Sequence, residues 1–276
     1  MISTTKHLAY TLKVEASELE YIIKNIDKFY YEKKEIKKDK AGNPKLKNGK
    51  PQVRILNPST KRLKVIQKRI NRNILQLLEM PEYAFGSIKG KTNIDNAKKH
   101  QGKKYIFTTD LKNFFPSVTH DRIFKTYRSL GFSPTVSRSL TQLTTYKGRL
   151  PQGAPTSPML ANLSFIKTGK KLQAFAKENQ LTFTSYVDDL TFSAPVDFKP
   201  KAQFIIDTLI EDGFKISHNK TNYKTKMPIV TGLVVKNNSI TVTDSFRIKL
   251  SITEGKSALQ IKGLEMYAER IKQANR

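Results

Sequence analysis

The sequence predicts an α+β architecture, helices packed on an antiparallel sheet. Apolar residues recur at helical spacing in several blocks, residues 105–110 form a short strand-like run, and residues 181–193 alternate as a strand that breaks at an acidic pair. The 276 residues are enough for one large domain or two modest ones with a buried core.

Residues 17–31 read as a helix. Ser17 and Glu20 have capping-box spacing, and Leu19, Ile22, Ile23, Ile26 and Tyr30 share one face. Residues 37–52 are rich in Lys, Gly, Asn and Pro, and Asn48-Gly49 is a turn signal, so a mobile basic hairpin is expected. A second helix is expected from 59 to 78, with Leu63, Ile66, Ile70, Ile74 and Leu77 buried. The strand at 105–110 ends on Asp110, and helices at 121–130 and 134–145 follow. Ser157 is placed to cap another helix, with Pro158 at its first position and Leu160, Leu163, Leu172 and Phe175 turned inward. Residues 181–193 form a hairpin with Asp188 and Asp189 at its tip, and a helix at 201–212 is closed by Gly213. Two strands, near 229–235 and 239–243, flank Asn237-Asn238. The remaining chain is helical, with Leu264, Tyr267, Ala268 and Ile271 in a stripe.

Charge gives the first functional clue. Fifty Lys and Arg against 23 Asp and Glu leave a net charge of +27, and residues 33–72 alone carry 15 basic and 2 acidic residues, a local net of +13. Such a balance points to a polyanion, because neutralising phosphates releases condensed counterions. Nucleic acid is favoured over a membrane surface, since no basic amphipathic helix stands out and no run reaches the ~18 apolar residues of a span. Residues 1–9 lack the apolar stretch of a signal peptide. The absence of cysteine excludes disulfides and thiolate metal sites and agrees with a cytoplasmic location. His7, His100, His120 and His218 show no ligand spacing.

Three acids stand where strands would present them together: Asp110 at a strand end, Asp188 and Asp189 at a hairpin tip. Clustered carboxylates repel one another unless Lys or Arg, or a divalent metal, compensates. Magnesium takes oxygen ligands from one or two carboxylates plus substrate phosphates, and two ions about 4 Å apart can activate an attacking oxygen and stabilise a leaving one. Neighbouring residues of an extended strand face opposite ways, so a turn is needed for Asp188 and Asp189 both to serve. Asp110 and Asp188 are assigned as principal ligands, with Leu111 beside them and Asp189 weaker. The alternative is an ordinary acidic turn.

Tyr186-Val187-Asp188-Asp189 resembles the Y-x-D-D box of reverse transcriptases. Asp110-Leu111-Lys112-Asn113-Phe114-Phe115-Pro116-Ser117 resembles the first acidic motif of their bacterial branch, and Leu150-Pro151-Gln152-Gly153-Ala154-Pro155-Thr156-Ser157-Pro158 the box between them. Asn96-Ala97-Lys98-Lys99-His100 and Val230-Thr231-Gly232 resemble the N-A-x-x-H and V-T-G motifs of retron reverse transcriptases. The likeness spans residues 54–232.

The resemblance implies a right-hand polymerase, with an N-terminal helix and fingers over 1–104, a palm over 105–238 (helical at 121–150) and a short thumb over 239–276 lacking a terminal helix. It implies RNA-directed DNA synthesis from dNTPs with two Mg²⁺ ions, Mn²⁺ being an alternative. The partner would be a cognate structured non-coding RNA, serving as template and as primer through a guanosine 2′-hydroxyl. The product would be branched RNA-linked single-stranded DNA (msDNA). Asp110, Asp188 and Asp189 would then be catalytic, and Lys220 would protonate departing pyrophosphate or be a plain surface lysine. Arg54 and Arg62 would grip the triphosphate or bind RNA non-specifically. Gln152 and Gly153 would contact the dNTP, and Phe115 would be a steric gate against ribose or a core residue. Asn96, His100, Tyr186, Val230, Thr231 and Gly232 would face nucleic acid, with a structural hydrogen-bonding role open for His100. A separate effector protein and anti-phage defence are implied by the retron likeness alone. The alternatives are another bacterial reverse transcriptase (group II intron-like, diversity-generating or of a non-retron defence type) and a non-catalytic RNA-binding scaffold, which would gain nothing from three clustered acids.

Overall fold

The computed structural model describes residues 2–38 and 42–275. Helices α1 (Thr5–Leu12) and α2 (Ala16–Lys24) are amphipathic and bury Leu8, Leu12, Leu19 and Ile22. The expected capping box at Ser17 does not form. Glu15 holds the N-cap without a side-chain bond, and α2 stops at Lys24 because Asn25 leaves helical geometry and a 3₁₀ turn takes Ile26–Phe29. Tyr30 is nonetheless buried, its hydroxyl accepting from Gln67 Nε2 at 2.7 Å.

A basic ribbon follows. Strand β1 (Lys33–Ile36) pairs with β4 (Val53–Leu56), and between them β2 (Leu46–Lys47) pairs with β3 (Lys50–Pro51). Asn48 and Gly49 take φ of 51° and 72°, the left-handed pair that a two-residue hairpin turn requires. Part of this expected hairpin, 39–41, lies outside the described residues. Helix α3 (Lys61–Asn73) buries Leu63, Ile66 and Ile70. It ends before the expected 78 because a tighter 3₁₀ turn over Leu75–Leu77 changes the spacing, burying Leu75 and leaving Leu77 75% exposed.

Helix α4 (Asn93–Lys98) carries a capping box between Thr92 and Asp95. Strand β5 (Tyr105–Asp110) then leads into four helices: α5 (Phe114–Ser117), α6 (His120–Ser129), α7 (Pro134–Thr144) and α8 (Ser157–Glu178). Thr156, not Ser157, is the N-cap of α8, since the Ser157 hydroxyl donates to Pro151 O at 2.6 Å. The hairpin β6 (Thr182–Tyr186) and β7 (Asp189–Ala194), helix α9 (Ala202–Glu211) and β8 (Asn222–Lys224) complete an antiparallel sheet in the order β6-β7-β5-β8. Helix α8 packs on it, with Leu160, Leu163 and Leu172 inward. Burying each such side chain stabilises the fold by about 1.5–3 kcal/mol.

The expected two strands of the next segment are three: β9 (Ile229–Val230), β10 (Leu233–Val235) and β11 (Ile240–Val242). Thr231 and Gly232, with φ of 45° and 83°, fold the first predicted strand back on itself. Helices α10 (Asp244–Ser251) and α11 (Ala258–Gln273) end the described chain, and α11 carries the expected stripe of Leu264, Tyr267, Ala268 and Ile271. Ile271 of α11 joins Ile94, Ala97, Ile106, Val230, Leu233, Val235 and Ile240 in a small core apart from the main one. Among the described residues no helix is long and apolar enough to cross a membrane.

Candidate active site

Asp110 closes β5, and the antiparallel register sets it opposite Asp189, the first residue of β7. Asp188 lies in the intervening turn, where its carbonyl accepts from the Leu111 N–H at 2.8 Å. Val187 makes that turn with φ of 59°, a left-handed conformation that is strained for a β-branched residue by about 1–2 kcal/mol. Segment 83–86 buttresses it. Ser185 N–H donates to Tyr83 O at 2.7 Å, Phe85 N–H to Ser185 O at 2.9 Å, and Asn162 Nδ2 to Gly86 O at 2.7 Å. A Cβ on Gly86 would lie 2.6 Å from Val187 N, so only glycine permits this approach. Sequence reading missed both Gly86 and Asn162. A lone glycine between Phe85 and Ser87 was the only signal, and Asn162 sits within an otherwise ordinary helix.

The carboxylates affect one another. Burial raises Asp188, the charge of Asp110 raises it further, and Lys220 and Arg54 pull it down. Asp189 is pushed up to about 7, by burial first and then by Asp188 and Asp110. One Asp110 oxygen is ion-paired with Lys220 and the other accepts from Ser217 Oγ at 2.9 Å. Lys220 reaches it from a 3₁₀ turn over His218–Lys220, anchored where Ser217 N–H donates to Asp110 O at 2.8 Å. Among the described residues no three acidic or histidine side chains are grouped as the ligands of one metal ion.

Other predicted residues divide. Arg54, on β4, lies near enough for its charge to act on Asp188. Gln152 is tied to the same ribbon's exit, its carbonyl accepting from Asn57 N–H at 2.8 Å, and Gly153 (φ 106°) faces Pro58. Phe114 is buried beside Phe165 and Phe214, whereas Phe115 is only partly covered. Tyr186 is half-buried and its hydroxyl is raised by burial and by that of Tyr267. Arg62, however, is engaged elsewhere, donating to Glu18 Oε1 at 2.6 Å.

Two nucleic-acid assignments, Asn96 and Val230, are corrected, and for His100 the structural hydrogen-bonding role is the one observed. Asn96, His100 and Val230 are fully buried and have no surface to offer RNA. His100 bridges the two strands of the carboxylate hairpin, with Nδ1 2.7 Å from Ser193 Oγ and Nε2 2.7 Å from Thr184 Oγ1. Burial, and then Lys103, lowers its pKa to about 3. Asn96 donates to Thr231 Oγ1 at 3.3 Å, and Val230 belongs to the small core. Thr231 is partly exposed and Gly232 exposed.

Comparison with known proteins bears on this arrangement. Residues 36–249 match the family model described as "Reverse transcriptase (RNA-dependent DNA polymerase)". The chain is 35% identical over 198 residues to the retron Ec86 reverse transcriptase of Escherichia coli, covering 70% of this chain and 62% of that protein. It is 29% identical over 248 residues to the retron Se72 reverse transcriptase of Salmonella heidelberg, covering 85% of this chain and 62% of that protein. With the retron Ec73 reverse transcriptase of Escherichia coli it shares 32% identity over 225 residues, 72% of this chain and 69% of the relative. The chain thus spans less than two thirds of the first two relatives' length. The matched segment contains all three clustered carboxylates, and by these matches the chain belongs to the reverse transcriptase family, among the retron reverse transcriptases.

Proposed function

We propose that this protein is an RNA-directed DNA polymerase of the retron type. It would copy part of a cognate structured non-coding RNA into branched, RNA-linked single-stranded DNA, starting from a 2′-hydroxyl of that RNA. One observation carries the reading: Asp110 and Asp189 face each other at one end of the inner strands β5 and β7, with Asp188 in the adjoining turn, beside Lys220 and Arg54. A pure phosphate binder gains nothing from three neighbouring, partly buried acids, and polymerisation of nucleotides uses them.

The donor set fits a hard divalent cation. It is all oxygen, and burial followed by neighbouring carboxylate charge raises Asp188 and Asp189, against which Lys220 acts on both and Arg54 on Asp188. Asp110 and Asp188, with the Leu111 carbonyl and Asp189 as lesser contributors, would hold Mg²⁺. When bound, Mg²⁺ lowers the pKa of the primer hydroxyl and offsets charge on the phosphates. In the reaction the primer oxygen bonds to the α-phosphorus of the dNTP and the bond to pyrophosphate breaks. Arg54 presents a guanidinium suited to bidentate phosphate contact. Lys220 Nζ, paired with Asp110, is placed to donate to the leaving pyrophosphate. Gln152 and Gly153, packed against the ribbon carrying Arg54, border the nucleotide, and the partly covered Phe115 occupies the space of a ribose 2′-hydroxyl. Catalysis is then mainly positioning and electrostatics. A separate effector protein and a role in anti-phage defence follow from the retron reading.

Primer extension on an RNA template with and without Mg²⁺ tests the proposal. Asp188→Asn is expected to lose about 100-fold or more in rate, and extension equal to wild type would overturn the assignment. Sequencing the nucleic acid that co-purifies addresses the retron half: one discrete RNA joined to DNA supports it, and heterogeneous cellular RNA alone refutes it.

A further inference from the structure

The turn between β9 and β10 breaks a local rule. Two-residue hairpin turns with both φ positive favour Asn-Gly or Asp-Gly, because a β-branched residue strains in the left-handed region. Here Thr231 takes the first position at φ 45°, with Gly232 after it. Departures of this kind persist where side-chain bonds over-determine them. Those bonds are present. Thr231 Oγ1 donates to Asn93 O at 3.2 Å and accepts from Asn96 Nδ2 at 3.3 Å.

Asn93 adds a third partner. Its Nδ2 donates to Thr231 O at 3.1 Å and to the Tyr267 hydroxyl at 2.6 Å, using both of its protons. Tyr267 lies midway along α11, with its ring against Phe246 of α10. Beyond this point α11 is tied down: Ile271 enters the small core, Lys98 Nζ donates to Ala274 O at 2.7 Å, and Asn275 makes paired 2.8 Å bonds to the backbone of Ile240. Before it the helix enters neither core and touches α10, with Leu259 82% and Met266 50% exposed. The Asn93 amide therefore sits at the boundary between the half of α11 anchored in the small core and the free half, which packs on α10 outside either core.

We propose that Asn93 is a positioning residue, a latch that holds the Thr231-Gly232 turn and the middle of α11 together and so sets the angle at which the free half of α11 meets bound nucleic acid. The contact with nucleic acid rests on the polymerase reading above, whereas the latch itself does not.

The chain has no cysteine, so nitroxide labels attach only where cysteines are introduced. Leu259→Cys on the free half of α11 and Val196→Cys after β7 are exposed positions for such a pair. Pulsed electron paramagnetic resonance should give one narrow distance distribution in the otherwise unaltered protein and a broadened or displaced one in Asn93→Ala. Tyr267→Phe keeps the ring packing and loses only the hydroxyl, and it should reproduce the change, with the double variant no worse than either single. An unchanged distribution in Asn93→Ala overturns the latch, whether or not the protein polymerises. Primer extension with a heparin trap reads the consequence. Nucleotides added per binding event should fall about fivefold, the equivalent of one hydrogen bond, with the rate of the first addition unchanged. A parent protein that extends no primer refutes the polymerase reading and leaves the distance measurement to decide the latch. An active parent with equal products from the variant refutes the role assigned to the angle.

Discussion

His100 shows how one side chain changes meaning between sequence and structure. In the sequence it ends a motif of basic and polar residues, and both an RNA contact and a structural hydrogen-bonding role are open. In the fold it is wholly buried between Ser193 and Thr184, one ring nitrogen donating and the other accepting. Its partners lie 93 and 84 residues away, and no local spacing announces them. Its depressed pKa has a measurable consequence. The unfolded imidazole takes up a proton below about pH 6.5, while the folded one resists until about 3. Protons therefore favour the unfolded chain across this window, and the stability that neutral His100 provides is lost as pH falls through it. In urea unfolding, the advantage of wild type over His100→Gln should shrink by about 2 kcal/mol between pH 7.5 and 5. A gap that stays constant with pH would show that His100 is not held neutral. Arg62 gives the same lesson: its partner Glu18 is 44 residues away, and only the tertiary fold directs it there.

At the scale of elements, the sequence was most legible where periodicity was long or the boundaries chemical. The strand at 105–110 has the expected ends, and the hairpin carries its acids at the turn, because alternation and the change to acidic residues mark both. Misreadings fall where a short 3₁₀ turn or a left-handed pair interrupts a pattern: after Lys24, after Asn73 and at Thr231-Gly232. The carboxylate hairpin depends on one such interruption, Val187, and on Gly86 behind it. Gly86→Ala would put a methyl group 2.6 Å from Val187 N and 2.8 Å from the Tyr186 carbonyl carbon, backbone atoms that yield only if the hairpin moves. Primer extension should fall by about tenfold or more, while overpacking lowers unfolding free energy by about 1–3 kcal/mol. Full activity in a folded Gly86→Ala protein would mean that the hairpin tolerates displacement and that the buttress is dispensable.

For the whole molecule, charge and motif order pointed to a nucleic-acid enzyme before any fold was known, and membership of the reverse transcriptase family agrees with the enzyme class. What composition did not reveal is that the apolar residues are divided between two cores. Beneath β9–β11 and α11 lies a cluster of only eight buried residues among the described ones, while the main core gathers the helices and most of the sheet. A cluster that small supports little independent stability. Amide hydrogen exchange should accordingly show 229–242 and 258–275 opening together, well before the amides of β5 and β7, as one cooperative sub-global unit. The sheet end that carries Asp110 and Asp189 would stay closed while the C-terminal part came away and re-docked, giving that part a hinged freedom the rest of the molecule lacks.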